Sequence, residues 1–155
     1  GVDAVLTYPL ESDLGVSAFS LTYGFNEREF ESDPSAYLNA EGIYDSQNFE
    51  PNHRAILSLS HAWDDYSVLI RTSYWGESSN YQSGNVQDFD GVSMTDLQLT
   101  YYGEEFELTM GGMNVFDEYP NEDEIGDYCC GRIYPSISTI SWQGANWYIS
   151  ATKEF

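Results

Sequence analysis

The sequence predicts an all-β chain, an antiparallel transmembrane β-barrel segment of about seven strands. Three observations predict it. Apolar and polar residues alternate with a period of two along most of the 155 residues, and helical periodicity is nearly absent. The alternating runs are about 9–11 residues long, which is what a tilted strand needs to cross a bilayer, whereas soluble strands more often run about 5–6. The connections between them alternate short and long, as they do between the periplasmic turns and outer loops of outer-membrane barrels.

The first strand is expected at about 2–10, in the run Gly-Val-Asp-Ala-Val-Leu-Thr-Tyr. The second, at about 16–26, sets Phe19, Leu21, Tyr23 and Phe25 on one face against Ser20 and Thr22. The third, at about 53–63, sets Ala55, Leu57 and Leu59 against Ser58 and Ser60. The fourth, at about 66–75, sets Val68, Ile70 and Tyr74 against Ser67, Arg71 and Ser73. The fifth, at about 92–102, sets Leu97, Leu99 and Tyr101 against Asp96, Gln98 and Thr100. The sixth, at about 105–114, sets Phe106, Leu108 and Met110 against Glu107 and Thr109, and the last covers about 143–155.

Short connections fall near 11–15, 64–65 and 103–104, and long ones near 27–52, 76–91 and 115–142. With the C-terminus in the periplasm, every short turn lands on the periplasmic side and every long loop outside. Aromatic residues then form two girdles, where an amphipathic ring meets a water–lipid boundary. Tyr8, Trp63, Tyr66, Tyr101, Tyr102, Phe106 and Phe155 mark the periplasmic one, and Tyr23, Phe25, Tyr74, Trp75, Trp147 and Tyr148 the outer one. Sixteen of the 26 acids fall in the three long loops. The strand acids Asp3, Asp96 and Glu107 share the polar face with Arg71, while Lys153 keeps the outward phase near an interface, where its stem can snorkel.

The formal net charge of −21, from 26 acids against 5 bases, excludes nucleic acid as a partner and excludes a polybasic membrane-surface module. No run of about 18 apolar residues forms a membrane helix. There is no G-x-S-x-G, no H-E-x-x-H and no phosphate loop, so no enzyme is expected. No signal peptide is visible, and Gly1 opens directly in strand-like sequence, which reads as a chain cut from something longer.

The stretch Gly111-Gly112-Met113-Asn114-Val115-Phe116-Asp117-Glu118-Tyr119-Pro120 resembles the G-x-x-N-L-F-D-x-x-P signature near the end of TonB-dependent outer-membrane receptors. It matches at Gly111, Asn114, Phe116, Asp117 and Pro120, with Val115 in place of the usual Leu. Gly131-Arg132-Ile133-Tyr134-Pro135 resembles the G-R-x-Y-P that often follows it, and Gly1-Val2-Asp3 resembles the start of a mid-barrel strand in that family. Phe155 matches the phenylalanine that ends many such barrels, although Lys153 stands where an aromatic is usual. The resemblance implies the C-terminal third of a barrel of about 22 strands, with the plug domain and its TonB-contacting segment absent from this chain. It further implies an outer-membrane receptor of a Gram-negative bacterium that binds a scarce nutrient with its outer loops and imports it through the plugged barrel. The expected partners are the remaining strands and plug of the same protein, TonB through that absent segment, outer-membrane lipids and lipopolysaccharide. The signature residues carry structural roles: Gly111 and Gly112 relieving crowding or permitting a bulge at a strand end, Asn114 and Asp117 capping a turn, Pro120 ending pairing.

Two readings from other classes stay open on the residues alone: a soluble secreted β-sandwich module binding a ligand or carbohydrate, and a plug-less porin-type barrel. The candidate ligand contacts are loop residues Tyr37, Tyr44, Phe49, Tyr81, Phe89, Tyr128, Arg132 and Tyr134, with Phe30 and Tyr119 also in the loops. The plainer role for these rings is packing loop against loop. Adjacent Cys129 and Cys130 suit a vicinal disulfide, bridges to the missing part of a longer chain, or two free thiols. Asp123, Glu124 and Asp127 form a candidate Ca²⁺ loop without EF-hand spacing, against the plain reading of a solvated acidic loop. His53 and His61, eight residues apart on one strand, stand about 26 Å from each other and cannot share a metal.

Overall fold

The computed structural model describes residues 1–125, 133–135 and 138–153. Over them the alternating segments form an antiparallel, mostly β structure. The elements are β1 (Val2–Ser12), β2 (Gly15–Phe25), α1 (Ala40–Asn48), β3 (His53–Trp63), β4 (Tyr66–Trp75), β5 (Ser78–Gln82), β6 (Asn85–Phe89), β7 (Val92–Tyr102), β8 (Phe106–Met113) and β9 (Asn146–Lys153). Seven strands make one sheet in the order β1-β2-β3-β4-β7-β8-β9, and β5 and β6 pair separately as a hairpin. Every neighbouring pair is antiparallel. The sheet is open, with β1 and β9 at its two edges.

The expected strands at 53–63, 66–75 and 92–102 coincide with β3, β4 and β7. The 143–155 strand begins later, at Asn146, and its end at Phe155 lies outside the described residues. Two elements are additional. The loop at 27–52 contains α1, started by Asn39, whose side chain accepts from the Gly42 amide at 2.8 Å. The loop at 76–91 contains the β5–β6 hairpin, turned by Ser83 and Gly84 at φ 54° and 83°, the left-handed pair that matches strand twist.

Register aligns the alternation across all seven strands, so the sheet has two unlike faces. On one, Tyr8, Phe19, Leu59, Ile70, Leu97, Gly112 and Trp147 stand in a single row. The next row holds Leu10, Ser17, His61, Val68, Leu99, Met110 and Ile149. The opposite face has Thr7, Ser20, Ser58, Arg71 and Asp96 in one row, with Val5, Thr22, Ile56, Ser73 and Met94 beside it.

Among the described residues, no second layer packs on the apolar face. Leu6 is 64% exposed, Leu57 51%, Met110 52% and Ile149 71%. Among the described residues the buried hydrophobic side chains are Phe89 and Ile140, and neither belongs to the seven-stranded sheet. Burying one such side chain is worth about 1.5–3 kcal/mol. A face this large, left in water, forgoes that gain at every outward position.

The few polar groups on the apolar face satisfy one another. Thr72 and Thr95 share a hydroxyl hydrogen bond of 3.0 Å across β4–β7. His61 shares one with Ser17 at 2.8 Å, and His53 one with Tyr23 at 2.7 Å. At the end carrying the short turns, the rings of His61, Trp63, Tyr66, Tyr101 and Phe106 run in contact, with successive centroids 5.3, 5.9, 5.1 and 5.7 Å apart. At the other end stand Tyr23, Phe25, Tyr74 and Trp147. Three aromatics expected in these girdles lie at the right height but turn to the polar face. Trp75 pairs with Arg54, whose guanidinium sits 5.3 Å from its ring, Tyr102 pairs with Glu107, and Tyr148 donates to Gln98 at 2.9 Å.

Candidate functional site: the signature turn and the outer loops

The motif Gly111–Pro120 begins at the end of β8. A Cβ on Gly111 would meet the Tyr148 ring at 2.5 Å, and one on Gly112 the Trp147 ring at 2.7 Å. Each glycine is therefore overlaid by the ring of its β9 partner, on opposite faces of the sheet. Glycine is required here by close approach.

The chain then turns sharply. Asn114 and Asp117 adopt φ 52° and 60°, a region that Asn and Asp enter more readily than other side chains. Asn114 is 4% exposed and fully bonded. Its side-chain amide donates to the Glu118 carbonyl at 2.7 Å, its side-chain oxygen accepts from the Glu118 amide at 3.0 Å, and its carbonyl accepts from the Asp117 amide at 2.9 Å. Asp117 accepts from the Ala145 amide at 2.8 Å, which ties the turn to the residue just before β9. Its carboxylate also accepts from Tyr119 and, through that bond and its charge, holds the Tyr119 phenol above the usual tyrosine range. Phe116 is 71% exposed beside the turn. The capping expected of Asn114 and Asp117 takes this form.

The turn is bonded to the sheet as well. Arg71 donates through Nε and Nη2 to Asp96 Oδ2, at 3.1 and 2.7 Å. The other carboxylate oxygen, Asp96 Oδ1, accepts from the Asn114 amide at 3.0 Å. The Val115 amide adds a bond to the Thr95 carbonyl at 2.8 Å.

Beyond the turn, the long loops join into one body. Asn121 and Asp90 bond reciprocally, amide to side chain at 3.0 Å and side chain to side chain at 3.1 Å. Gln87 donates to the Glu122 carbonyl at 2.7 Å and accepts from the Glu124 amide at 2.9 Å. α1 docks on the hairpin through Tyr44 and Ser79, which share a 2.9 Å bond, and through Asp45, which accepts from the Tyr81 amide at 2.8 Å. Arg28 pairs with Glu50 in the first loop.

The candidate ligand residues divide by this geometry. Tyr44 and Tyr81 meet edge to face at 5.9 Å, Phe89 is buried, and Tyr119 stacks on Tyr134 at 6.3 Å. Tyr44 and Tyr81 thus join the first long loop to the second, whereas Tyr119 and Tyr134 stack within the third. Phe49 closes α1 by donating its amide to Asp45. Tyr37 is 91% exposed. Tyr128, Arg132, Cys129, Cys130, Asp127 and Phe155 lie outside the described residues. Within the candidate Ca²⁺ loop, Asp123 accepts from the Ile125 amide and the Glu124 amide is held by Gln87. Among the described residues no three His, Cys, Asp or Glu side chains are grouped to hold a metal ion.

Two concavities stand out. An open crevice of about 280 Å³ between the first two long loops carries the carboxylates of Glu50, Glu77, Asp88 and Asp90. A dent of about 830 Å³ lies on the apolar face beside Trp147, bounded by Val68, Ile70, Leu97, Leu99 and Met110. No family model, curated protein or solved structure matches the chain.

Proposed function

We propose that the chain is wall and outer loops of an outer-membrane receptor of the TonB-dependent type, which captures a scarce nutrient and admits it through a plugged barrel. One observation carries the membrane reading: a seven-stranded sheet whose apolar face no described residue covers, with aromatic residues towards both ends of its strands. Lipid is the solvent that makes such a face stable. A soluble sandwich needs an apolar core closed between two sheets, and the described residues supply no second layer over this one.

Strand parity supports a larger barrel. Seven antiparallel strands leave β1 and β9 running the same way, so they cannot pair with each other as antiparallel neighbours. An odd number of further strands closes the wall. The Gly111–Pro120 turn supports the receptor class by resemblance, and the loop body supports capture outside. The acids around the crevice would concentrate a cationic cargo and repel an anionic one, in a salt-dependent way. On this reading the polar face looks onto the plug, and lipopolysaccharide surrounds the outer girdle.

Single cysteines, introduced with Cys129 and Cys130 replaced by serine, test it in the intact protein, in its native membrane. A water-soluble maleimide should label Ser20→Cys and Ser58→Cys once the lumen is open to the reagent, and leave Leu21→Cys and Leu57→Cys unlabelled until the membrane is dissolved. Equal labelling of both sets before dissolution, or recovery of the protein in the soluble fraction, would overturn the proposal.

A further inference from the structure

Asp96 occupies an unusual place. It lies on β7, on the polar face, and its two oxygens serve different parts of the molecule. Oδ2 is held by Arg71 of β4, and Oδ1 holds the Asn114 amide at the first residue of the turn. From Asn114 a path of hydrogen bonds and short covalent stretches leads outward. It passes to Glu118 through both ends of the Asn114 side chain, then along the chain to Asn121, across to Asp90 and Gln87, and so to the hairpin on which α1 sits.

We infer that Asp96 is a positioning residue that couples the wall to the outer-loop body, with Arg71 fixing the carboxylate in the rotamer that reaches Asn114. The geometry requires both functions of one carboxylate. A side chain that only paired with Arg71 would leave the Asn114 amide, at a 4% exposed residue, without its acceptor. An unpaired buried amide is costly, and Asn114 at φ 52° is already in a strained region, so the turn would relax away from the sheet. The loops would then lose one of the bonds that fix their height and tilt over the wall. The inference concerns loop geometry and does not rest on the import reading, although it supplies that reading with a mechanical link between lumen wall and outer surface.

Amide hydrogen exchange on the intact protein, folded in detergent micelles, tests it. Asp96→Ala should speed exchange at Asn114, Glu118 and 121–124 by about tenfold or more while β2–β3 stay protected. Arg71→Met should give a smaller change at the same amides, and the double variant should be no worse than Asp96→Ala alone. The exchanged pair, Arg71→Asp with Asp96→Arg, separates positioning from plain stabilisation. It restores an ion pair across β4–β7 but offers Asn114 no acceptor, so sheet protection should recover and the loop amides should remain fast. Recovery of both together, or unchanged loop exchange in Asp96→Ala, would sink the inference. Global loss of protection in Asp96→Ala, with the exchanged pair restoring loops and sheet alike, would also overturn it, because Asp96 would then act only through the sheet.

Discussion

Individual residues on this chain are selected by contacts that alternation does not reveal. Asp117 is an example. Its carboxylate accepts from the Ala145 amide and from Tyr119, whose phenol it holds above the usual range. For a group raised in this way, the contribution to the folded loop is fully present below the ordinary tyrosine value of about pH 10 and is lost as pH rises through the higher, folded value. Asp117→Asn keeps an acceptor and removes the charge. We expect the phenolate absorbance assigned to Tyr119, by difference from Tyr119→Phe, to appear at lower pH in Asp117→Asn than in the parent. An identical titration in both would mean that the carboxylate does not govern the phenol.

At the scale of the element, β8 and β9 are matched by missing side chains. Gly111 and Gly112 leave room for the Tyr148 and Trp147 rings, and Tyr148 uses that room to reach Gln98. Gly111→Val should therefore cost about 2–4 kcal/mol in denaturant unfolding, from overpacking and the lost hydrogen bond. Adding Tyr148→Ala should recover part of that cost, and additive losses would count against the explanation. The sequence showed the strands plainly, because a period of two survives every local irregularity. It did not show α1 or the β5–β6 hairpin. Both are short and polar, and both are held by tertiary bonds such as Tyr44 with Ser79 and Asp45 with the Tyr81 amide. Asn39 as a helix start and Ser83-Gly84 as a two-residue turn were the available signals. The turn-capping roles of Asn114 and Asp117 were legible from residue type. The Asp96–Asn114 bond was not, since it depends on how a turn folds back over a neighbouring strand.

For the molecule as a whole, the decisive property is the difference between the two faces of one sheet. An arginine at mid-height should distinguish lipid from water as the neighbour of the apolar face. In the intact protein folded into bilayers, Leu57→Arg should destabilise by about 2–4 kcal/mol, and Ser58→Arg, one residue along, by well under half of that. In a water-exposed sheet both would be nearly neutral. A small Leu57→Arg effect in bilayers would thus remove the main support for the membrane reading.

The adjacency of β4 and β7 has one more consequence. The sheet closes directly from Trp75 onto Val92, so the hairpin between them adds nothing to the register of the wall. It is an excursion that leaves and rejoins at neighbouring strand ends. Lineages could lengthen, shorten or replace such a cassette without shifting any row of the sheet, and new surface chemistry could arise on an inherited frame. Its side-chain ties to α1 and to residues 121–124 limit that freedom: a replacement that ignores Asp90 and Gln87 would disturb loops it does not itself contain. Variation at this position is therefore expected to be correlated among the loops and silent in the strands.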